Sequence, residues 1–181
     1  MSYVALDFET ASSSRSSACA LGMVRFEGSE ILDEFYTLIA PPGMYFDPFN
    51  VGIHGIHPCD CEDAPTFDEI WDSVYRFIGD SVVMAHNAGF DLGVLRHTLA
   101  RYGIEVPKLK YYCTWKLSKV LYPELKSRAL DALAKRIDFK FEHHNALEDA
   151  KACAAVFHRM EEELAPDSIT SVMKPKLFIC Q

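Results

Sequence analysis

Asp7 and Glu9 stand two residues apart at the end of an apolar run that opens at residue 3. In an extended strand that spacing sends both side chains from one face while Phe8 turns to the other. Two neighbouring carboxylates on a buried strand repel, and such a pair is compensated by a hard divalent cation or by a raised pKa; standing past the strand end in water, the same pair needs neither. Asp91 closes the run His86-Asn87-Ala88-Gly89-Phe90-Asp91, where a short apolar segment meets a helical stripe. Open α/β sheets place functional groups there, beyond the carboxyl ends of strands. Asp149 falls in the first turn of the last long helical segment, behind His143 and His144. An acid in a first helical turn is also an ordinary partner for the helix dipole, and a histidine before a helix is an ordinary surface residue. In combination the four acids, each ending a core element, can converge at one sheet edge and hold two Mg²⁺ or Mn²⁺ ions, the hard metals that oxygen ligands select over zinc. A histidine beside them, with a reference pKa of about 6.5, can take a proton at neutral pH.

The elements that must position these groups read as an α/β domain. Residues 3–9 form a buried strand; residues 18–26 and 31–40 are rich in β-formers and flank Glu27-Gly28-Ser29-Glu30, a hairpin turn, so the first three strands make a meander. Proline and glycine punctuate residues 41–48 as a loop, followed by a turn-like segment over residues 51–57. From Thr66 the apolar residues Phe67, Ile70, Trp71, Val74, Phe77 and Ile78 recur at helical spacing, with Thr66 and Glu69 as a capping box. Residues 82–85 give a fourth strand feeding a helix over 90–102, and residues 108–113 a fifth. Short helices follow at 115–121 and 130–137, then a long one at 146–164. Residues 165–181 have no clear period and read as a tail packed on the domain or the start of a linker. Strand-helix-strand units after a meander predict a mixed sheet.

Composition excludes other classes. Of 181 residues 49% are apolar, enough for one compact domain and too many for a disordered chain. With 18 Lys and Arg against 26 Asp and Glu, the net charge is −8, which argues against a broad basic surface on duplex nucleic acid. No apolar run reaches the roughly 18 residues of a membrane span, and residues 1–7 lack the pattern of a signal peptide, so a cytoplasmic protein with no membrane association is expected. The six cysteines, Cys19, Cys59, Cys61, Cys113, Cys153 and Cys180, are scattered. They read as reduced, mostly buried thiols rather than a zinc site or disulfide framework.

Three ordered motifs resemble the DEDDh (DnaQ-like) 3′–5′ exonucleases, the family of the proofreading epsilon subunit of bacterial DNA polymerase III. They are Asp7-Phe8-Glu9-Thr10, then His86-Asn87-Ala88-Gly89-Phe90-Asp91, then His144-Asn145-Ala146-Leu147-Glu148-Asp149. Val51-Gly52-Ile53-His54-Gly55-Ile56 and Leu130-Asp131-Ala132-Leu133 are similar to further family segments, so the resemblance runs from about residue 3 to residue 160. It implies a ribonuclease H-like fold with a five-stranded mixed sheet flanked by helices, and an exonuclease domain over residues 1–164. It implies that Asp7, Glu9, Asp91 and Asp149 hold two divalent cations, Mg²⁺ or Mn²⁺, and that His144 is the general base. The family spacing, five residues before the last acid, selects His144 over His143, which reads as a surface residue. The implied chemistry is in-line hydrolysis of the terminal phosphodiester, two cations stabilising the attacking and leaving oxygens, with release of nucleoside 5′-monophosphates.

Thr10, His54 and Phe90 match the positions that hold the terminal nucleotide in relatives, and Asn87 would help shape that pocket; Phe90 reads equally well as a core anchor at a helix start. Two bound divalent cations would halve the formal charge of −8, so a short footprint on a single-stranded or frayed 3′ end is expected, where stacking contributes about 1–3 kcal/mol per base. Where many relatives turn through Thr-Gly or Gly-Leu after the first motif, this chain has Ala11 and a serine run, Ser12 to Ser17, interrupted by Arg15, which reads first as a solvated loop arginine and second as a phosphate contact. Arg128 and Ala129 replace the asparagine and serine of the proofreading subunit. The same residues suit DNA or RNA, so the alternatives are an RNA-trimming exonuclease of the oligoribonuclease or ribonuclease T kind, or a non-catalytic polymerase-interaction module. An intact nuclease can also have a polymerase or repair partner.

Overall fold

The computed structural model describes residues 2–179. Its sheet has six strands: β1 (Tyr3–Thr10), β2 (Ala18–Glu27), β3 (Glu30–Leu38), β4 (Val82–Ala85), β5 (Leu109–Cys113) and β6 (Lys176–Phe178), in the order β3-β2-β1-β4-β5-β6. The meander pairs antiparallel, β1 with β4 and β4 with β5 pair parallel, and β6 closes the far edge antiparallel to β5. The expected five-stranded sheet therefore gains a strand. β6 is too short to show an alternating pattern; pairing and the burial of Phe178 against the core hold it.

Helices cover both faces. On one, α2 (Phe67–Ile78) and α3 (Asp91–Arg101) pack over Val4, Leu6 and Phe8 of β1. On the other, α4 (Thr114–Leu121), α5 (Leu130–Arg136) and α6 (Ala146–Leu164) pack over Ala5, Val24 and Met84, with Phe157 of α6 fully buried. Burial on both sides explains why β2 is apolar nearly throughout instead of alternating. Thr66 N donates to Glu69 Oε2 at 2.8 Å in the expected capping box of α2.

Residues 51–57 are more than a turn. A helix, here α1 (Pro48–His54), begins at Asp47, whose Oδ1 accepts from Phe49 N at 2.9 Å, and ends at Gly55, whose φ of 72° lies in the left-handed region open to glycine. Beyond α6, α7 (Ile169–Val172) leads into β6. No helix among the described residues is long and apolar enough to cross a membrane. The cysteines at 19, 59, 61, 113 and 153 are free thiols, all but Cys59 buried; Cys180 lies outside the described residues.

Candidate active site

The alternation of β1 divides its side chains between the two cores. Val4, Leu6 and Phe8 face α2 and α3, so Asp7 and Glu9 share the opposite face with Ala5, beneath α6. What lets α6 reach them is Gly22. It pairs with Asp7 across β1 and β2, and a Cβ there would overlap the backbone of Ala146 and Leu147. Glycine at this point lets the start of α6 lie directly on the sheet. Asn145 fixes that start, its Oδ1 accepting from Leu147 N and Glu148 N at 3.2 and 3.3 Å. Asp149, one turn in, then meets the β1 pair: carboxylate oxygens of Asp7, Glu9 and Asp149 all lie within 4.8 Å of one another. The register between β1 and β2 slips after Glu9, so regular pairing ends where the acids stand.

Asp91 reaches the same edge from the N-terminus of α3. It is 1% exposed, and its Oδ1 accepts from Phe8 N at 3.2 Å, tying the acid to the backbone between Asp7 and Glu9. Burial, then the charges of Asp91, Asp149 and Glu9, push the Asp7 carboxyl well above the usual range. Burial also raises Asp91 against the lowering effect of its hydrogen bond from Phe8. Glu9 is pushed up to about 8 by burial and by the charges of Asp149 and Asp91. Asp149 is raised by burial against the opposing pull of His143 and His144. Four acids so strained, offering only oxygen donors, fit hard divalent cations: Asp7, Glu9 and Asp149 as one ligand set, with Asp91 beside Asp7.

The two histidines differ from the simple expectation. His143 is half-exposed, yet its Nδ1 lies 2.7 Å from Asp149 Oδ1, so it is bound into the site rather than being a plain surface residue. His144 N donates to Asp149 Oδ2 at 2.7 Å, and the residue has a φ of 67°. Its ring stacks on His143 with centroids 4.0 Å apart. Burial and the neighbouring His143 lower the His144 pKa from 6.5.

Asp7, Glu9, Asp149, His143 and His144 line a cavity of about 410 Å³ together with Thr10, Phe49, Ile53, His54, Phe90 and Arg15. Thr10 and His54 come together here: Ile56 N donates to His54 Nδ1 at 3.0 Å, which leaves the ring proton on Nε2, 3.2 Å from the Thr10 carbonyl. Sequence reasoning missed Asn50, whose Nδ2 donates to the same carbonyl at 2.9 Å. Asn50 and His54 are four apart on α1 and share a face, a signal visible only once residues 48–54 are read as a helix. Phe90 is 37% exposed and on the cavity wall rather than in the core, and Phe49, 75% exposed, also lines the cavity. Asn87, with a φ of 58°, lines a second cavity of about 410 Å³, which shares Asp7, His143 and Asp149 with the first. Arg15 is not the free loop arginine expected: its Nη1 donates to Gly89 O at 2.8 Å and its Cζ lies 5.9 Å from the Phe90 ring centroid.

Comparison with known proteins gives the family and the fold. The PolC-type DNA polymerase III of Caldanaerobacter subterraneus subsp. tengcongensis is 33% identical over 94% of this chain, and that of Clostridium perfringens 34% identical over 90%. The chain spans 12% of the length of each of these relatives. Among solved structures, exonuclease X in complex with 5′ overhanging duplex DNA superposes with a TM-score of 0.77 at 22% identity, covering 94% of this chain and 96% of that one. The nuclease domain of 3′hExo, a DEDDh family member bound to rAMP, gives 0.78 at 16% identity, covering 90% and 92%. These likenesses share the ribonuclease H-like fold. The family model described as Exonuclease (RNase_T) matches residues 4–157, and the chain belongs to that family, the DnaQ-like 3′–5′ exonucleases.

Proposed function

We propose that the chain removes nucleotides from the 3′ ends of single-stranded or frayed nucleic acid, DNA in preference to RNA, releasing nucleoside 5′-monophosphates. The observation that carries this is the meeting of the carboxylates of Asp7, Glu9 and Asp149 within 4.8 Å on the wall of an open cavity of about 410 Å³. Those three residues would hold the first of two divalent cations, Mg²⁺ or Mn²⁺, and Asp91 would help hold the second. Such cations lower the charge that builds on phosphodiester oxygens and make the attacking water more acidic.

The chain's own residues do the rest. His144, neutral at pH 7 because its pKa lies below 6.5, takes the proton of the water that attacks phosphorus. The bond from phosphorus to the 3′ oxygen breaks, and that oxygen leaves as a hydroxyl by taking a proton from solvent water. His143 and the His144 backbone hold both oxygens of Asp149, which fixes the carboxylate's orientation. Phe90 and Phe49 offer faces for a base, and Thr10 and His54 close the floor around the terminal sugar.

DNA is favoured because the two relatives compared above, at 33% and 34% identity, are named as DNA polymerases. A polymerase or repair protein is accordingly the partner class to test, in a cytoplasmic setting. The likeness to a domain bound to rAMP supports the RNA-trimming alternative. All the site residues lie within residues 1–164, the span proposed as the exonuclease domain. The test is competition between equal amounts of labelled DNA and RNA oligomers of one sequence, with chromatographic identification of the products. Deoxynucleoside 5′-monophosphates appearing first support the reading. Preferential loss of RNA would select the alternative, and 3′-monophosphate products would remove the mechanism.

A further inference from the structure

Arg15 sits in a built turn. Within residues 12–17, Ser17 Oγ donates to Ser14 O at 2.7 Å and accepts from Ser12 N at 3.1 Å, while Ala11 N donates to Ser17 O at 2.7 Å. Thr98 Oγ1 of α3 donates to Arg15 O at 3.4 Å. From this turn the guanidinium crosses α3 at Gly93, where a Cβ would overlap Nη1 and stand 2.9 Å from Cζ. Gly89 O and the Phe90 ring complete the seat.

A guanidinium has five N–H donors. Among the described residues this one hydrogen-bonds a single carbonyl and makes no direct ion pair, acting on the Asp91 carboxyl only through its charge. It is also the one Lys or Arg lining the cavity of Asp7, Glu9 and Asp149, in a chain with 26 acids against 18 bases. Seating a planar cation on that rim, beside an exposed aromatic and with its remaining donors free, suits a phosphate, which arginine binds through paired N–H groups.

We propose that Arg15 is a substrate-binding residue whose guanidinium takes a backbone phosphate of the single-stranded 3′ end. This rests on the nuclease reading above, extends it to a position outside the three motifs, and gives the acidic chain a local anchor for its polyanionic substrate. If Arg15 only propped Phe90 in place, its loss would alter base stacking but not the dependence of binding on salt.

The experiment measures binding of a 5′-fluorescent single-stranded DNA oligomer by anisotropy across a series of salt concentrations, with Ca²⁺ in place of Mg²⁺ to suppress cleavage. Each phosphate contact on a single strand contributes about 0.7 to the slope of log affinity against log salt. Arg15→Ala should bind about tenfold more weakly and lose about 0.7 of slope. Arg15→Lys should keep most of the slope, with part of the affinity lost. Gly93→Ala, which keeps the arginine but blocks its seat, should match Arg15→Ala, and Arg159→Ala, on an exposed part of α6, should match the wild type. With Mg²⁺ the Arg15→Ala loss should appear in KM, with kcat little changed. A wild-type slope in Arg15→Ala overturns the proposal, whatever the kcat. A wild-type chain that neither cleaves nor binds the oligomer removes the nuclease reading as well, so the two failures are distinguishable.

Discussion

Replacing Glu9 with Gln removes a charge while keeping the side chain's shape, and the metal-free protein should become more stable at pH 8. Burial and the charges of Asp149 and Asp91 raise the Glu9 carboxyl from 4.5 to about 8. A tenfold change in proton affinity is worth about 1.4 kcal/mol, so ionising Glu9 in the folded state costs about 5 kcal/mol at most. Glu9 is partly open to the cavity, and solvent screening leaves about 2–3 kcal/mol as the working figure. The folded protein holds this proton more tightly than the unfolded chain does. Stability is therefore full below the unfolded carboxyl's range and falls as pH rises from 4.5 through about 8. For a domain of this size each kcal/mol moves Tm by about 2–4 °C, so Glu9→Gln should melt about 5–10 °C above wild type at pH 8 in EDTA. At pH 5 the two should nearly coincide. Mn²⁺ should reverse the order, because only the intact acid set gains strongly from binding the cation. Thermal unfolding followed by circular dichroism reads all of this. A Gln variant melting at or below wild type at pH 8 in EDTA would refute like-charge strain at the site.

Asp7→Ala should abolish hydrolysis while leaving the metal-free fold intact or steadier, checked by activity and melting on the same preparation; retained activity would sink the assignment. His144→Ala should lower kcat by about 10²–10⁴. It should also remove an ionisation below pH 6.5 through which the wild-type rate rises, and a pH–rate profile with that limb intact would move the base elsewhere. Gly22→Ala forces a Cβ into the α6 backbone, so it should cost about 1–3 kcal/mol or more and part Asp149 from Asp7, read as a lower urea midpoint and lost activity. Asn50→Ala should cost about 1 kcal/mol through the Thr10 carbonyl it leaves less satisfied and should raise KM more than it lowers kcat; unchanged kinetics would remove Thr10 from the substrate pocket.

The acids are legible in the sequence because their chemistry needs particular residue types at particular element ends, and the period of β1 alone puts Asp7 and Glu9 on one face. What strand and helix periods do not carry is the depth at which elements meet. Gly22 looks like any glycine in a strand until Ala146 is found against it. α1 is hidden because Pro48, Gly52 and Gly55 break its apolar rhythm, although Asp47-Pro48 is a helix start in its own right. β6 pairs over three residues, too few for a pattern, and its place is set by β5. The serine run reads as solvated because serine is polar, yet Ser17 is buried and its hydroxyl closes the turn that aims Arg15. A glycine inside α3 was the available flag: it costs a helix about 1 kcal/mol relative to alanine, and at Gly93 the return is a seat for the guanidinium.

The most direct measurement is a time course with a 5′-labelled single-stranded DNA oligomer, in Mg²⁺, in Mn²⁺ and in EDTA, for the wild type and for Asp149→Asn. The acid cluster predicts a ladder that shortens one nucleotide at a time from the 3′ end in the wild type with either cation, with no cleavage in EDTA or in Asp149→Asn. Undiminished cleavage in EDTA, or an Asp149→Asn variant that trims at the wild-type rate, would contradict the assignment of the reaction to these carboxylates.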